Sequence, residues 1–115
     1  MRVTDHGIVL DRQQLRDITL DDDELMREVL TALLDDTGKQ VAFLDLAIRA
    51  QDTQKTMQLA HYCKGACANV GANALAAVLK SLEQEAARHS FGDCAVSLCN
   101  LTQELERLRV EAVEV

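Results

Sequence analysis

The sequence predicts an all-α fold, an antiparallel up-down four-helix bundle with a short extra N-terminal helix. Three observations carry that prediction. Apolar residues recur every three or four positions along successive stretches, the period of a helix with one buried face. No stretch alternates apolar and polar residues with period two, so strands are not expected. Capping residues punctuate the apolar periods, and proline is absent from all 115 residues.

The first helix is short, near residues 11–17. The next is expected over 22–35. Asp21-x-x-Glu24 reads as its capping box, and Asp21, Asp22, Asp23 and Glu24 complement the positive end of the helix dipole. Leu25, Val29, Leu30 and Leu33 form its apolar side. Thr37-x-x-Gln40 reads as a second capping box, opening a separate helix over 38–51. Val41, Leu44, Ala47 and Ile48 lie on one side of it. Phe43 and Leu46 lie off that stripe, so burial on more than one side is expected. Asp52 caps a helix over 53–69, which Gly71 ends. Helix 72–89 offers Leu75, Val78, Leu79, Leu82 and Ala86. Ser90-x-x-Asp93 opens the last helix, 91–112, with Phe91, Leu98, Leu101, Leu105 and Leu108 inward. Short connections make neighbouring helices antiparallel. The whole chain, 1–115, reads as one domain.

The helix over 53–69 holds the most informative residues. Positions three and four apart share a helix face. From His61 that rule reaches Gln58, Lys64 and Gly65, then Gln54 and Ala68. Leu59, Ala60, Cys63, Ala66, Cys67 and Val70 lie opposite and form a stripe wide enough to bury. His61 therefore sits near the middle of the wet face. A lone histidine in such a place ordinarily has no role, but its neighbours add to it. Lys64 places an ammonium one turn away, where it can meet phosphate oxygens as a point charge. Glycine inside a helix costs about 1 kcal/mol relative to alanine. Gly65 thus suggests that something approaches the backbone closely.

Composition narrows the function classes. Hydrophobic residues make up 48% and aromatics 3%, which fits helices packed through Leu, Ala and Val rather than a disordered chain. The longest apolar runs, such as Ala74 to Leu79, are far too short to span a bilayer. The start of the chain, Met1-Arg2-Val3-Thr4-Asp5-His6, has no apolar signal-peptide core, so a cytoplasmic location is expected without membrane insertion. The formal charge is −7, unevenly spread: residues 1–52 hold twelve acidic and six basic side chains, residues 53–115 seven and six. No acidic residue lies between Asp52 and Glu83, while Lys55, Lys64 and Lys80 do. The His61 segment is locally positive, which suits a phosphate or an acidic partner. The plainer reading is that these lysines merely solvate two helices. Nucleic acid is not expected, because it would need a broader basic stripe.

The four cysteines, Cys63, Cys67, Cys94 and Cys99, form no C-x-x-C pair and lack zinc-site spacing. Cys63 and Cys67 lie on the apolar stripe and read as small buried hydrophobes. A metal or redox site built from them and a cysteine of the last helix is the alternative.

Once the helices are placed, the chain resembles the histidine-containing phosphotransfer (HPt) domains over most of its length. Asp52 lies nine residues before His61. Ala60-His61, Lys64-Gly65 and Asn69-Val70-Gly71-Ala72 follow, and Leu75, Leu82 and Glu83 continue the pattern. The resemblance implies that His61 is the phosphorylated residue, that Lys64 stabilises the phosphoryl group and that Gln58 orients the imidazole. Gly65 leaves room for the partner, with Ala68 beside it on the docking face and Met57 at its margin. Two departures stand out: Cys63 in place of a larger aliphatic, and Tyr62 in place of a small hydroxyl residue. The first loosens the core slightly, and the second alters the docking rim.

The implied function is a phosphorelay carrier that exchanges a phosphoryl group with aspartates of response-regulator receiver domains and is fed by a hybrid sensor histidine kinase. A neutral imidazole nitrogen, common near neutral pH given a reference pKa near ~6.5, is a competent nucleophile. Phosphoryl transfer also needs charge neutralisation and a magnesium ion. The chain offers no paired catalytic acids, nucleophile triad or phosphate-binding glycine loop. It is therefore expected to bind no cofactor, to have no kinase activity or ATP site, to take Mg2+ from the partner receiver and to be a monomer. Two other readings compete: a binding-only adaptor of a two-component system, which would have no need of both His61 and Lys64, and the metal- or redox-responsive bundle.

Overall fold

The computed structural model describes residues 8–115; residues 1–7, including His6, lie outside the described residues. Five helices follow one another: α1 Arg12–Ile18, α2 Asp23–Arg49, α3 Thr53–Val70, α4 Asn73–Ala87 and α5 Phe91–Val113. No strand occurs among the described residues. Helices α2 to α5 close into a four-helix bundle. α2 and α4 each pack against both α3 and α5, which leaves α3 and α5 diagonally opposed. The short α1 lies against α3.

The largest difference from the sequence reading is at Thr37 and Gly38. The helices expected over 22–35 and 38–51 are one helix of 27 residues. Thr37 does not cap anything, because its side chain lies inside the bundle at 2% exposure. Glycine alone does not end a helix whose two halves are both pinned to the core. Leu30, Leu33 and Leu34 are buried before it, and Leu44, Ala47 and Ile48 after it. Their burial, at roughly 1.5–3 kcal/mol per large aliphatic, outweighs the cost of about 1 kcal/mol for one glycine. At about 1.5 Å per residue the helix runs nearly the full 42 Å length of the molecule.

Two smaller corrections concern the same helix. Phe43 and Leu46 are 53% and 65% exposed, so α2 is not buried on a second side. Leu25 is also 39% exposed, and Met26 takes its place in the core. The cap is Asp22 rather than Asp21: its carboxylate accepts from the Leu25 N–H at 3.0 Å, while Asp21 has φ 60° and belongs to the turn before. Asp52 caps α3 as expected, accepting from Lys55 N at 3.0 Å. Ser90 occupies the N-cap of α5, but its side chain makes no capping bond.

The core is built of leucine and small residues. Leu30, Leu44, Leu75, Leu79, Leu82, Leu101 and Leu108 are fully buried, with Ala60, Ala74 and Ala86 between them. Alanines there let helix axes approach closely.

The α3–α4 corner is fastened by the N-terminal segment. Gly71 ends α3 in the left-handed region at φ 92°. Asp11 N donates to Gly71 O at 2.8 Å, and Ala74 N donates to Ile8 O at 2.8 Å. The Ile8 carbonyl thus meets one of the orphan N–H groups of α4, whose own N-cap, Ala72, has no side-chain acceptor. Gln14 Nε2 donates to the carbonyls of Ala68 and Asn69, at 2.6 and 3.1 Å. Arg12 pairs with Glu111 and ties the same segment to α5.

The two glycines should respond oppositely to alanine. A Cβ at Gly38 meets nothing within 4 Å. Gly38→Ala is therefore expected to stabilise the protein by about 0.5–1 kcal/mol. A Cβ at Gly71 would stand 2.9 Å from Asp11 O on a left-handed backbone. Gly71→Ala is expected to destabilise by more than about 1 kcal/mol. Urea unfolding of both variants checks the pair.

Candidate functional site

α3 is wet on one side and dry on the other, as its sequence requires. Ala60, Cys63, Cys67 and Val70 are buried; Leu59 and Ala66 are half-buried. Gln54, Gln58, His61, Gly65 and Ala68 are exposed, with Lys64 and Met57 partly so. The His61 side chain is 70% exposed in the middle of this face. A Cβ at Gly65 would meet nothing within 4 Å, so the surface beside the histidine is bare backbone open to solvent.

Glu83 on α4 completes the group. The tight corner at Gly71 and Ala72 returns α4 alongside α3. Leu82 then points into the core, and Glu83, one position further round the helix, points up beside His61. One carboxylate oxygen of Glu83 accepts from Lys64 Nζ at 2.9 Å, and the other lies 3.2 Å from His61 Nδ1. A carboxylate cannot donate, so the second contact requires the proton on Nδ1. In the neutral ring the lone pair then sits on Nε2 of a side chain that is 70% exposed.

Partial burial pushes the Glu83 carboxyl up, but the hydrogen bond and charge of Lys64, then those of His61, outweigh it and hold the group below its ordinary value of 4.5. A carboxyl depressed in the folded state contributes stability above its unfolded pKa and loses it as pH falls through the folded one. The advantage of the wild type over Glu83→Gln in urea midpoint is therefore expected to shrink as pH falls below about 4.5. Unfolding curves collected from neutral pH to pH ~3 check the sign.

Gln58 lies one turn before His61, exposed, and makes no hydrogen bond to the ring. The side chain that orients the imidazole is Glu83, 22 residues further on and on another helix. Helical spacing within α3 cannot reveal such a partner; its only trace in the sequence is the continuation of the HPt pattern onto the next helix. The positive character expected from Lys55, Lys64 and Lys80 is also reduced, because Glu83 pairs with Lys64 and Asp36 of α2 comes in on the other flank. There the Tyr62 hydroxyl donates to Asp36 Oδ2 at 3.1 Å. That bond and the charge of Asp36 hold the phenol above its usual pKa.

The cysteines divide as their positions suggest. Cys63, Cys67 and Cys94 are buried and Cys99 is exposed, all as free thiols. Burial, then the neighbouring Cys67 and Asp36, pushes Cys63 up to about 12. Burial pushes Cys67 up to about 11 against a hydrogen bond from Thr37. Neutral thiols of this kind are poor nucleophiles and poor metal ligands. Among the described residues no group of three or more His, Cys, Asp or Glu side chains converges to hold a metal. In the native protein at pH ~8 a thiol reagent should titrate one cysteine rapidly, Cys99, and all four only after unfolding. Fast reaction of a second thiol would mean that the α3 stripe opens.

His61 lies on an open face, its side chain 70% exposed. A cavity of about 260 Å³ lies between α1, the start of α2 and the end of the chain, lined in part by Arg12, Arg16 and Arg27, with no contribution from α3 or α4. The site is an open surface carrying one oriented imidazole, one ammonium and one carboxylate that holds both.

Comparison with known proteins identifies the family and the fold. The model of the Hpt domain family matches residues 28–111. The fold is similar to that of histidine-containing phosphotransfer protein B (HptB) from Pseudomonas aeruginosa. That match has a TM-score of 0.84 and 24% identity and covers 92% of each chain. It is also similar to a rice protein described as a histidine-containing phosphotransfer protein, at TM-score 0.82 and 20% identity, covering 92% of this chain and 78% of that one. No curated protein matches the sequence. The chain belongs to the Hpt domain family, and its function is that of a phosphorelay carrier. Among the described residues no helix is long and apolar enough to cross a membrane.

Proposed function

We propose that Nε2 of His61 accepts a phosphoryl group from the aspartyl phosphate of a receiver domain and returns it to another receiver. The observation that carries this reading is the Glu83 carboxylate, bonded at once to His61 Nδ1 and to Lys64 Nζ on an open helix face. In the transfer the Nε2 lone pair forms the new P–N bond, the P–O bond to the aspartate breaks, and the carboxylate leaves with the receiver. Positive charge develops on the ring, whose Nδ1–H already points at an anion. Glu83 thus stabilises the product and fixes the ring against rotation, a contribution of orientation and preorganised charge. Lys64 has three N–H donors and spends one on Glu83. The others are free to meet the phosphoryl oxygens.

The acid nearest the imidazole is committed to these two bonds. Mg2+ is accordingly assigned to the receiver's acidic site rather than to this chain, which acts as a carrier without a kinase or ATP site of its own. Gly65, Ala68 and Met57 border the docking face, and Gln58 meets the partner rather than the ring. A hybrid sensor kinase upstream, a cytoplasmic location and a monomeric state complete the proposal. Binding without phosphorylation is the weaker reading, since it leaves the His61–Glu83–Lys64 group without a purpose.

Two variants test it. A phosphorylated receiver domain should label the wild type with acid-labile, alkali-stable phosphate. His61→Gln should keep its helical circular dichroism and take no label; label that persists would sink the assignment. Gly65→Leu should be as stable as the wild type or slightly more so, by the better helix propensity of leucine. It should nonetheless slow transfer by more than about tenfold, because the new side chain stands where reacting atoms must come within about 3.5 Å. Normal transfer by Gly65→Leu would mean that the partner approaches from elsewhere.

A further inference from the structure

α1 is seven residues long and packs against α3. Beside α2 it leaves a cavity of about 260 Å³. The floor of that cavity is apolar: Leu15 and Met26 line it and are themselves buried, at 1% and 6% exposure. Its rim is charged. Three of the eight arginines of the chain, Arg12, Arg16 and Arg27, line it, and none of the four lysines does. A guanidinium is a planar fork that meets a carboxylate or a phosphate through two N–H bonds at once, which an ammonium cannot do.

The three arginines are not equally engaged. Arg12 bonds Glu111 through two of its nitrogens and lies 3.7 Å from Glu114. Among the described residues Arg16 and Arg27 make no ion pair and no side-chain hydrogen bond. Asp23 also lines the cavity, one turn before Arg27 on α2, yet it closes on neither of them. With Arg12 neutralised by α5 and the residue after it, two guanidiniums face one carboxylate, and the balance at the rim is positive. That is a local exception in a protein of net charge −7.

The placement of α1 keeps this face open. Arg12, Leu15 and Arg16 are spaced i, i+3, i+4 and share one side of the helix. Gln14 lies on the other side and donates to the carbonyls of Ala68 and Asn69. α1 is thus held to the end of α3 by one side and presents its arginines to the cavity with the other.

We propose that this cavity binds a small organic anion, its carboxylate or phosphate head held between Arg16 and Arg27 and its apolar body laid on Leu15 and Met26. The volume lies just under the ~300–1,000 Å³ of typical ligand sites, which suits a single ring or a short chain. A ligand so placed bridges α1 to α2. It touches neither His61, Lys64 nor Glu83, so the site stands apart from phosphoryl exchange.

The test uses the full chain and two probes, phenyl phosphate and benzoate, with inorganic phosphate as the head alone. Binding is followed by NMR through the arginine side-chain N–H resonances. At least one of the two probes should saturate with Kd below about 1 mM and shift the Arg16 and Arg27 resonances. Arg16→Ala and Arg27→Ala, both at exposed positions, should each weaken that binding about tenfold, the loss expected for a charge-assisted pair. Asp23→Asn removes the competing carboxylate and should tighten it about two- to threefold. Lys39→Ala removes a positive charge elsewhere on α2 and should leave it unchanged. Inorganic phosphate should bind about tenfold more weakly than phenyl phosphate, because it leaves the apolar floor uncovered. The saturating probe should raise the Tm of the wild type and not that of the two arginine variants, whose melts also show that they fold. Saturation by neither probe up to about 10 mM overturns the site. So does an equal loss in Lys39→Ala, which would mean that surface charge alone attracts the probe. Inorganic phosphate binding as tightly as phenyl phosphate would mean an adventitious ion only, and overturns it as well.

Discussion

The site depends on the corner between α3 and α4. Gly71 turns the chain in a conformation that other residues adopt only at a cost, and Asp11 packs where a Cβ would otherwise be. This turn sets the rotation of α4 about its own axis. With Leu75, Val78, Leu79 and Leu82 all directed inward, Glu83 has one place to go, the rim shared with α3. The pairing of Glu83 with His61 and Lys64 is thus a consequence of core packing and backbone geometry, not of three polar residues finding one another at a surface. Segment 8–14 secures the corner from outside, through backbone bonds to Gly71 and Ala74 and side-chain bonds to the end of α3. Its contribution to function is indirect but real: it holds the register on which Glu83 relies.

The charge arrangement follows a similar economy. An exposed ion pair contributes little to stability, typically ~0–1 kcal/mol, because water screens it. Lys64 and Glu83 are each about a quarter exposed, at 30% and 22%, and the pair gains more by positioning than by attraction. Shared between a lysine and an imidazole, the carboxylate holds both in a fixed arrangement on the open face. A neutral side chain at position 83 could orient the ring equally well. It would not offset a positive charge on the ring.

Much of this was legible from sequence, and the exceptions have physical causes. The helical class, the Asp52 cap, the Gly71 stop and the division of α3 into wet and dry faces all follow from local rules, because each depends on residues within a turn or two. The false break at Thr37 and Gly38 came from the same rules. Thr37-x-x-Gln40 has the composition of a capping box, but burial of leucines on both sides of it decides the matter, and that burial depends on α3 and α5. The expected second buried side of α2 failed for a related reason: Phe43 and Leu46 are apolar and yet face solvent. Within the site, His61, Lys64 and Gly65 share one helix and were visible through their spacing. Glu83 and Asp36 belong to other helices, and no periodicity in α3 points to them. The imidazole was therefore assigned to Gln58, the polar neighbour within helical reach, when the fold supplies a carboxylate from across the corner.

A carrier imposes one further constraint on its surface. Donor and recipient must reach the same nitrogen in turn, so the centre of the face has to be open and common to both. His61 stands on such a surface, 70% exposed and beside a bare glycine. An enclosed pocket would strengthen the chemistry but would exclude a folded domain. Discrimination between partners therefore falls to the margins, where a side chain can be changed without disturbing the transfer. On the α4 side the margin is occupied by Glu83 and Lys64, bonded to each other and, through Glu83, to the imidazole. The α2 side is free of those bonds. It carries Tyr62 and Phe43, both about half exposed, and it departs from the HPt pattern at Tyr62, the residue next to His61.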